Sequence, residues 1–421
     1  MRSHRQTLLL LLLMMLSGVA VAQNNTNSPY TRYGFGQLSE QGSGNSRAMG
    51  GIAYGLRDKY QVNYANPASY TAVDSVTFIL DGGISLQNTN LNDGVLKKNA
   101  KNSSFDYVTM QFRASKWAGI SLGLIPYSNV GYNMGEYRDA AGNDAASASV
   151  VSYSGEGGLH QLFLGAGFKI IKNLSVGMNI SYLWGDITRS SSLSFPSSSA
   201  NYPITITSNV AMKSYKLDLG AQYTHRFGKK HAATLGVVFS PGHNLFNEAY
   251  ETRQLGSGST GITATTEDVS VTCGIPTTYG VGVTYVYDNR LTVGADAMFQ
   301  NWSEVNYMNE KGVFCDRGRI SAGAEYIPNL MGRSYMSHVK YRVGAYYSPS
   351  YYKINGTRAA NEYGVTAGFG LPIPRTRSIV SLSAQYVRTK ATEASFLDEK
   401  TLRICVGVTF NEGWFFKRKV N

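Results

Sequence analysis

Most of the chain alternates between apolar and polar positions with a period of two. From Tyr215 to Tyr223 one face carries Tyr215, Leu217, Leu219, Ala221 and Tyr223, and the other carries Lys216, Asp218, Gly220 and Gln222. Successive side chains of a strand point to opposite sides, so this stretch has an apolar stripe with aromatic ends and a polar reverse. Leu174, Val176, Met178, Ile180 and Tyr182 form a second stripe, and Tyr279, Val281, Val283 and Tyr285 a third. Leu291, Val293, Ala295, Ala297 and Phe299 give a fourth, and Leu402, Ile404, Val406, Val408 and Phe410 the last. Segments of about ten residues with one greasy and one polar face are what a barrel strand needs when lipid lies outside and a polar lumen inside.

The pattern predicts strands near 76–89, 103–115, 117–130, 158–171, 173–188, 213–227, 230–240, 275–287, 290–302, 316–327, 337–349, 361–371, 377–390 and 400–410. The fold class is therefore all-β: a transmembrane antiparallel β-barrel of about 14 strands. Lipid cannot satisfy an open strand edge, so the sheet must close. The even-numbered connections are short, and the odd-numbered ones include long loops near 131–157, 189–212 and 241–274. That parity is the outer-membrane rule of short turns on one side and long loops on the other.

A barrel of this size is too wide for side chains alone to fill. The inward positions include Gly165, Gly177, Gly220, Gly282, Gly294, Gly323, Gly344 and Gly407, which make it roomier still. The stretch between Gln23 and Val73 is the large non-strand segment on the short-turn side. Its heart, Asn45 to Tyr70, does not alternate, holds Gly50, Gly51 and Gly55, and ends in Asn66-Pro67-Ala68. These residues are expected to fold into the lumen as an N-terminal hatch or plug.

AMGGIAYG followed by NPASY resembles the N-terminal signature of the FadL/OmpP1/TodX-like outer-membrane transport proteins. SPYTRYGFGQL and VTFNEGWFFKRK are similar to Bacteroidota members of that family. The resemblance implies a hatch inside the barrel and passive uptake of hydrophobic small molecules, fatty-acid-like or aromatic. It also implies a kink in the third strand that opens the wall toward lipid, and Pro126 stands at the matching position. The plain alternative for Pro126 is the outer rim of strand three.

Arg2 and Arg5, an apolar run from Leu8 to Leu16, and Ala20-Val21-Ala22 read as a secretory signal over 1–22. The organisation expected is thus a signal peptide at 1–22, an extension and hatch at 23–74, the barrel at 75–411 and a short basic tail at 412–421. Hydrophobic content of 43% and a mean hydropathy of −0.19 exclude a bundle of membrane helices. With 29 Tyr, 17 Phe and 45 Gly and only 16% charged residues, the composition suits an outer-membrane barrel. The formal net charge of +12 fits attraction to anionic membrane surfaces, and nucleic acid is not an expected partner of an exported chain. Cys273, Cys315 and Cys405 have no metal spacing and read as small apolar or loop residues. His160, His225, His231, His243 and His338 fall in no catalytic or metal motif. No enzyme activity, cofactor or metal is expected.

The candidate functional residues form four groups. Arg47, Arg57, Asp58, Asn66 and Pro67 are candidates for hatch or gate. Lys216, Asp218, Asp296, Arg319, Glu325, Arg342 and Arg403 are lumen charges that could pair with Arg47, Arg57 and Asp58, because buried charges need partners. Pro126 is the candidate lateral opening. Phe195, Ile204, Ile206, Leu245 and Phe246 are apolar residues of long outer loops, suited to a partner, a greasy ligand or loop packing. The expected function is a channel for passive uptake of hydrophobic small molecules; the alternative is a non-transporting barrel serving as a platform in an outer-membrane secretion or barrel-assembly complex. The expected surroundings are outer-membrane lipid, with a hydrophobic small-molecule ligand or protein partners to match.

Overall fold

The computed structural model describes residues 26–75, 77–92, 94, 96–138, 148–196, 202–256, 263–393 and 397–413. The signal-peptide reading and the basic tail from Trp414 onward lie outside the described residues.

Fourteen antiparallel strands close into a barrel. They are β1 (Thr77–Asn92), β2 (Lys97–Arg113), β3 (Ala118–Arg138), β4 (Ser149–Lys169), β5 (Leu174–Ser194), β6 (Ile204–Phe227) and β7 (His231–Ser240). There follow β8 (Thr278–Tyr287), β9 (Leu291–Gln300), β10 (Arg317–Tyr326), β11 (Lys340–Pro349), β12 (Ala360–Pro372), β13 (Ile379–Ala391) and β14 (Asp398–Gly413). Each pairs with its sequence neighbour, and closure comes from β14 on β1, with Thr77 opposite Gly413 and Asn92 opposite Asp398. Met178, Ile180, Tyr182, Tyr215, Tyr223, Val281, Phe299, Leu402 and Ile404 are exposed on the outer wall, while Ser181, Gln222, Asp296 and Thr409 are buried on the inner one. The two-faced stripes of the sequence thus become a lipid-facing surface and a lumen.

The wall is uneven. β3, β4 and β5 are 21 residues long and β6 is 24, whereas β7 to β11 have 10 each. This corrects the sequence reading of 131–157, 189–212 and 241–274 as loops. Much of each stretch is strand, and Asn247–Leu255 and Thr263–Asp268 extend the tall side by pairing onto β6 and then onto each other. Runs such as Ser190-Ser191-Ser192 carry no greasy stripe, because above the membrane both faces of a sheet can be wetted. At the other end, β14 runs on to Gly413, two residues beyond the expected boundary of the barrel.

At one height the tall side bends. The β3–β4 register shifts between Pro126 and Ser128. Gly157, Gly158 and Gly185 beside it have φ of 109°, 140° and 148°, which a side chain would resist. On the other flank of β3, pairing with β2 stops at Val108 opposite Leu124. Beyond that point the outer half of β3 pairs instead with Gln37 and Leu38.

Candidate functional site

Residues 26–72 pack against the inward-facing side of the sheet, in two layers. The inner layer, 44–72, follows the wall. Ser43 precedes a short helix, Gly44–Ala48, and Asn66 caps a 3₁₀ helix, Pro67–Ala72, by accepting from the Ala68 N–H at 3.1 Å. Between them Gly50 and Gly51 take φ of 71° and 87°, which explains the Gly pair in the motif. The path can be traced strand by strand. Ala48 O accepts from Thr366 on β12 at 2.9 Å. Asp296 on β9 accepts from the backbone of Ala53 at 2.5 Å and of Tyr54 at 2.8 Å. Gln222 on β6 donates to Tyr54 O at 2.8 Å, and Asn179 on β5 accepts from the Tyr70 hydroxyl at 2.9 Å.

What lets backbone lie flat on this wall is a girdle of glycines. A Cβ placed on Gly323 or Gly344 would sit 2.3 Å from Met49 O or 2.2 Å from Gly50 N. On Gly236 it would meet Tyr54 O at 1.8 Å, on Gly220 Asn66 Oδ1 at 2.2 Å, on Gly177 Pro67 C at 2.4 Å, and on Gly119 Tyr70 O at 2.2 Å. The inward glycines therefore do not widen the lumen, as the sequence reading supposed. They are the seat of the N-terminal segment.

The second layer, 26–41, rises to the outer end. Gly34 and Gly36, at φ of 57° and 80°, present Phe35 to a cluster of aromatics from the outer loops. Phe35 is fully buried, with ring centroids 5.3 Å from Tyr307 and 6.0 Å from Trp302. Tyr351 clamps it, accepting from Phe35 N–H at 3.0 Å and donating to Gly36 O at 2.7 Å. Ser28 donates to Glu399 at 2.5 Å near the outer start of β14.

Between the layers a cavity of about 150 Å³ is lined by Glu40, Arg47, Lys216, Asp218, Arg317 and Arg319 among others. Two smaller cavities, about 70 and 30 Å³, adjoin it at Leu38.

The predicted site residues fall as follows. Arg47 is buried and pairs with Asp106 on β2 at 2.9 Å, a partner the sequence did not suggest. Asp58 meets Lys340 at 3.7 Å, also unforeseen, and Arg57 meets no carboxylate among the described residues but donates to Gln222 at 3.0 Å and Thr71 at 2.8 Å. Burial pushes the Arg57 guanidinium down to about 10. Of the lumen charges, Lys216 pairs with Asp218, and Arg342 with Glu325 at 2.7 Å, so these four satisfy one another within the wall. Arg342 also donates to Gln61 at 3.1 Å. Arg319 reaches Glu40 at 3.6 Å, and Arg403 donates to Gln87 at 3.2 Å. Burial pushes the Glu40 carboxyl up, but Arg319, Arg403 and Arg47 outweigh it and hold it at about 2. Arg47 and Asp58 thus pair with wall charges, but with Asp106 and Lys340 rather than with the lumen charges expected of them. The wall binds the segment mainly through its backbone, and Asp296 is the clearest case.

Pro126 stands at the bulge where β3 parts from β2, and its carbonyl accepts from Gln41 at 3.2 Å. The parting is not a clear opening. Gln37 to Gln41 line it from within, and the 30 Å³ cavity there includes Arg47, Asp106 and Arg403. The outer apolar residues do not form one patch. Ile204 and Ile206 lie exposed on β6, Phe195 follows β5, Phe246 is exposed, and Leu245 is buried in the Phe35 cluster. Sequence reasoning missed Asp106, Lys340, Glu40 and the aromatic cluster; the flanking glycines of Tyr33-Gly34-Phe35-Gly36 were the available signal for the last.

The model of the BamG family matches residues 5–421. The chain belongs to the BamG family. No curated protein matches it. Among solved structures, this BamG-family barrel is similar to the CymD monoaromatic hydrocarbon channel, at 13% identity and a TM-score of 0.60 over 91% of this chain and 100% of that one. It is similar to a Pseudomonas aeruginosa FadL homologue at 13% identity and a TM-score of 0.60, covering 89% and 99%. The P. putida toluene transporter TodX gives 13% identity and a TM-score of 0.58, covering 90% and 100%. At this identity the likeness establishes a shared fold.

Proposed function

We propose that this BamG-family barrel is a closed, non-conducting subunit of an outer-membrane complex that secretes proteins or assembles barrels. Its tall outer wall and outer loops are the surfaces it offers to partners. The observation that carries the reading is the filled lumen. A hydrophobic solute would have to cross the Phe35 cluster, a chamber lined by Arg47, Lys216, Asp218 and Arg319, and a segment seated directly on the wall. Size is not the obstacle, since a cavity of about 150 Å³ walled by Leu, Ile and Phe can hold benzene. The obstacle is chemistry: an apolar solute would strip ion pairs of their remaining polar neighbours. Membership of the BamG family points the same way. The exposed apolar band supports residence in the outer membrane, with lipid around it.

Passive uptake of hydrophobic small molecules is the second reading. It draws on the fold shared with hydrocarbon channels and on the parting of β2 from β3 beside Pro126. Extraction from native membranes in mild detergent separates the two. The platform reading expects stoichiometric protein partners, and liposomes bearing the purified barrel that neither conduct ions nor speed toluene uptake. A lone barrel that carries lipid in its lumen and accelerates toluene uptake would replace it with the channel.

A further inference from the structure

On the outside of the wall, toward the long-loop end, one run of paired outward positions changes chemistry between β12 and β13. It begins with Tyr347 on β11 and Tyr363 on β12, both exposed, with ring centroids 5.1 Å apart. It then passes to Arg388 on β13, Lys400 on β14, Asn90 on β1 and Asn99 on β2, each opposite the one before. Lys101 faces outward two residues along from Asn99, opposite Asn88. Exposed tyrosines are the ordinary girdle of a membrane interface. In this sector exposed cations and amides take their place.

The cations stand directly over apolar surface. Arg388 is the next outward residue beyond exposed Tyr386, and Lys400 the next beyond exposed Leu402. Leu86 and Ile84 continue the apolar band on β1, and Ile404 on β14. Long cationic side chains lay their stems along such a surface and lift the charge to the interface.

Their charge is largely free. Lys101 and Lys400 have no carboxylate within 4 Å among the described residues. Arg388 reaches Asp398 only at 3.9 Å, and both side chains are well exposed. A surface pair of this kind contributes little. Between the cations lies a short ladder of amides: Asn99 Nδ2 donates to Asn88 Oδ1 at 2.5 Å and to Asn90 Oδ1 at 2.8 Å. The amide N–H groups of Asn88 and Asn90 and the Asn99 carbonyl are left to face outward.

Three chemistries therefore meet on one outer face. Cations suit phosphate, amides suit sugar hydroxyls, and the apolar band suits acyl chains. A phospholipid would use the first and the last but leave the amides to water. We propose that the outward face of β13, β14, β1 and β2 is a docking site for a phosphorylated glycolipid of the outer leaflet, with Arg388, Lys400 and Lys101 on its phosphates and the Asn ladder on its sugars. The proposal rests on the barrel standing in the outer membrane with its long loops outward, and is independent of whether it conducts or serves as a platform.

The test adds bis-phosphorylated lipid A to the purified full chain in maltoside and follows retained lipid by native mass spectrometry. Saturable binding is expected in the wild type. The double variant Arg388→Gln with Lys400→Gln should bind about tenfold more weakly, and the exposed control Arg253→Gln should bind as the wild type does. Lipid A stripped of its phosphates should bind no better than the double variant does, and phosphatidylglycerol at equal concentration should not compete. Undiminished binding in the double variant, undiminished binding of the stripped lipid, or competition by phosphatidylglycerol overturns the proposal. Should the double variant not fold, Lys101→Gln takes its place, with an expected loss of about fivefold; unchanged affinity there overturns the site. Binding is scored in micelles, so its failure leaves the barrel's residence in the outer membrane untouched.

Discussion

The two layers inside this barrel fill the same cylinder by opposite means. In the inner layer, backbone lies on backbone: residues 44–72 follow glycines from β3 to β11, and polar wall side chains reach in to their carbonyls and N–H groups. In the outer layer, a single side chain, Phe35, enters a pocket of rings from loops far apart in sequence. The first arrangement gets its precision from the absence of side chains, the second from their bulk. The inner layer should therefore be intolerant of addition and the outer layer of deletion.

The largest effect is expected from adding. Gly344→Val would set a Cβ 2.2 Å from Gly50 N, against backbone on both sides. Overpacking of this kind costs about 3 kcal/mol or more. The seated state should be lost, giving measurable ion conductance in planar bilayers while the barrel itself stays folded by circular dichroism. A silent bilayer would show that the glycine girdle is not what seats the segment.

Breaking the Arg47–Asp106 pair comes next. Arg47→Met leaves a buried carboxylate alone and should cost about 3–5 kcal/mol, whereas the double variant Arg47→Met with Asp106→Leu should recover most of it. Urea unfolding of both in detergent checks the difference.

Phe35→Ala deletes a fully buried ring and should cost about 3–5 kcal/mol. Its signature should be local: faster proteolysis between residues 26 and 41 from the outer side, with no conductance, because the inner layer remains in place. If conductance appears, the two layers are one cooperative unit and the comparison fails.

The smallest effect concerns acid. Glu40 titrates at about 2 in the folded chain, below its ordinary value of 4.5. Its contribution is thus fully present above that ordinary value and fades as pH falls through about 2. Thermal stability should show no loss from this group between pH 7 and pH 5, and Glu40→Gln should flatten the decline seen at lower pH.

What could be read beforehand follows the same division. The strand count and the inward parity of Gly177, Gly220, Gly323 and Gly344 were legible, because a period of two survives wherever one face meets lipid. The use of those glycines was not, since a missing side chain does not reveal what occupies its place. The tall half of β3 to β6 was hidden for the reverse reason: where water reaches both faces, Ser190 to Ser192 carry no pattern that separates strand from loop. The ion pairs failed because pairing needs height along the strand as well as facing. Asp296 faces the N-terminal segment, yet it meets the backbone of Ala53 and Tyr54, while Arg47 of that segment meets Asp106.

One consequence concerns the order of assembly. Where β3 leaves β2, its edge is completed by Gln37 and Leu38, residues made before any of the fourteen strands. A chain without them would carry an unpaired edge along this part of β3, a template for any passing strand. The neighbours of the N-terminal segment run from β3 to β12, so its first residues take their final seat only once strands made much later are in place. Maturation of this protein ends at its beginning.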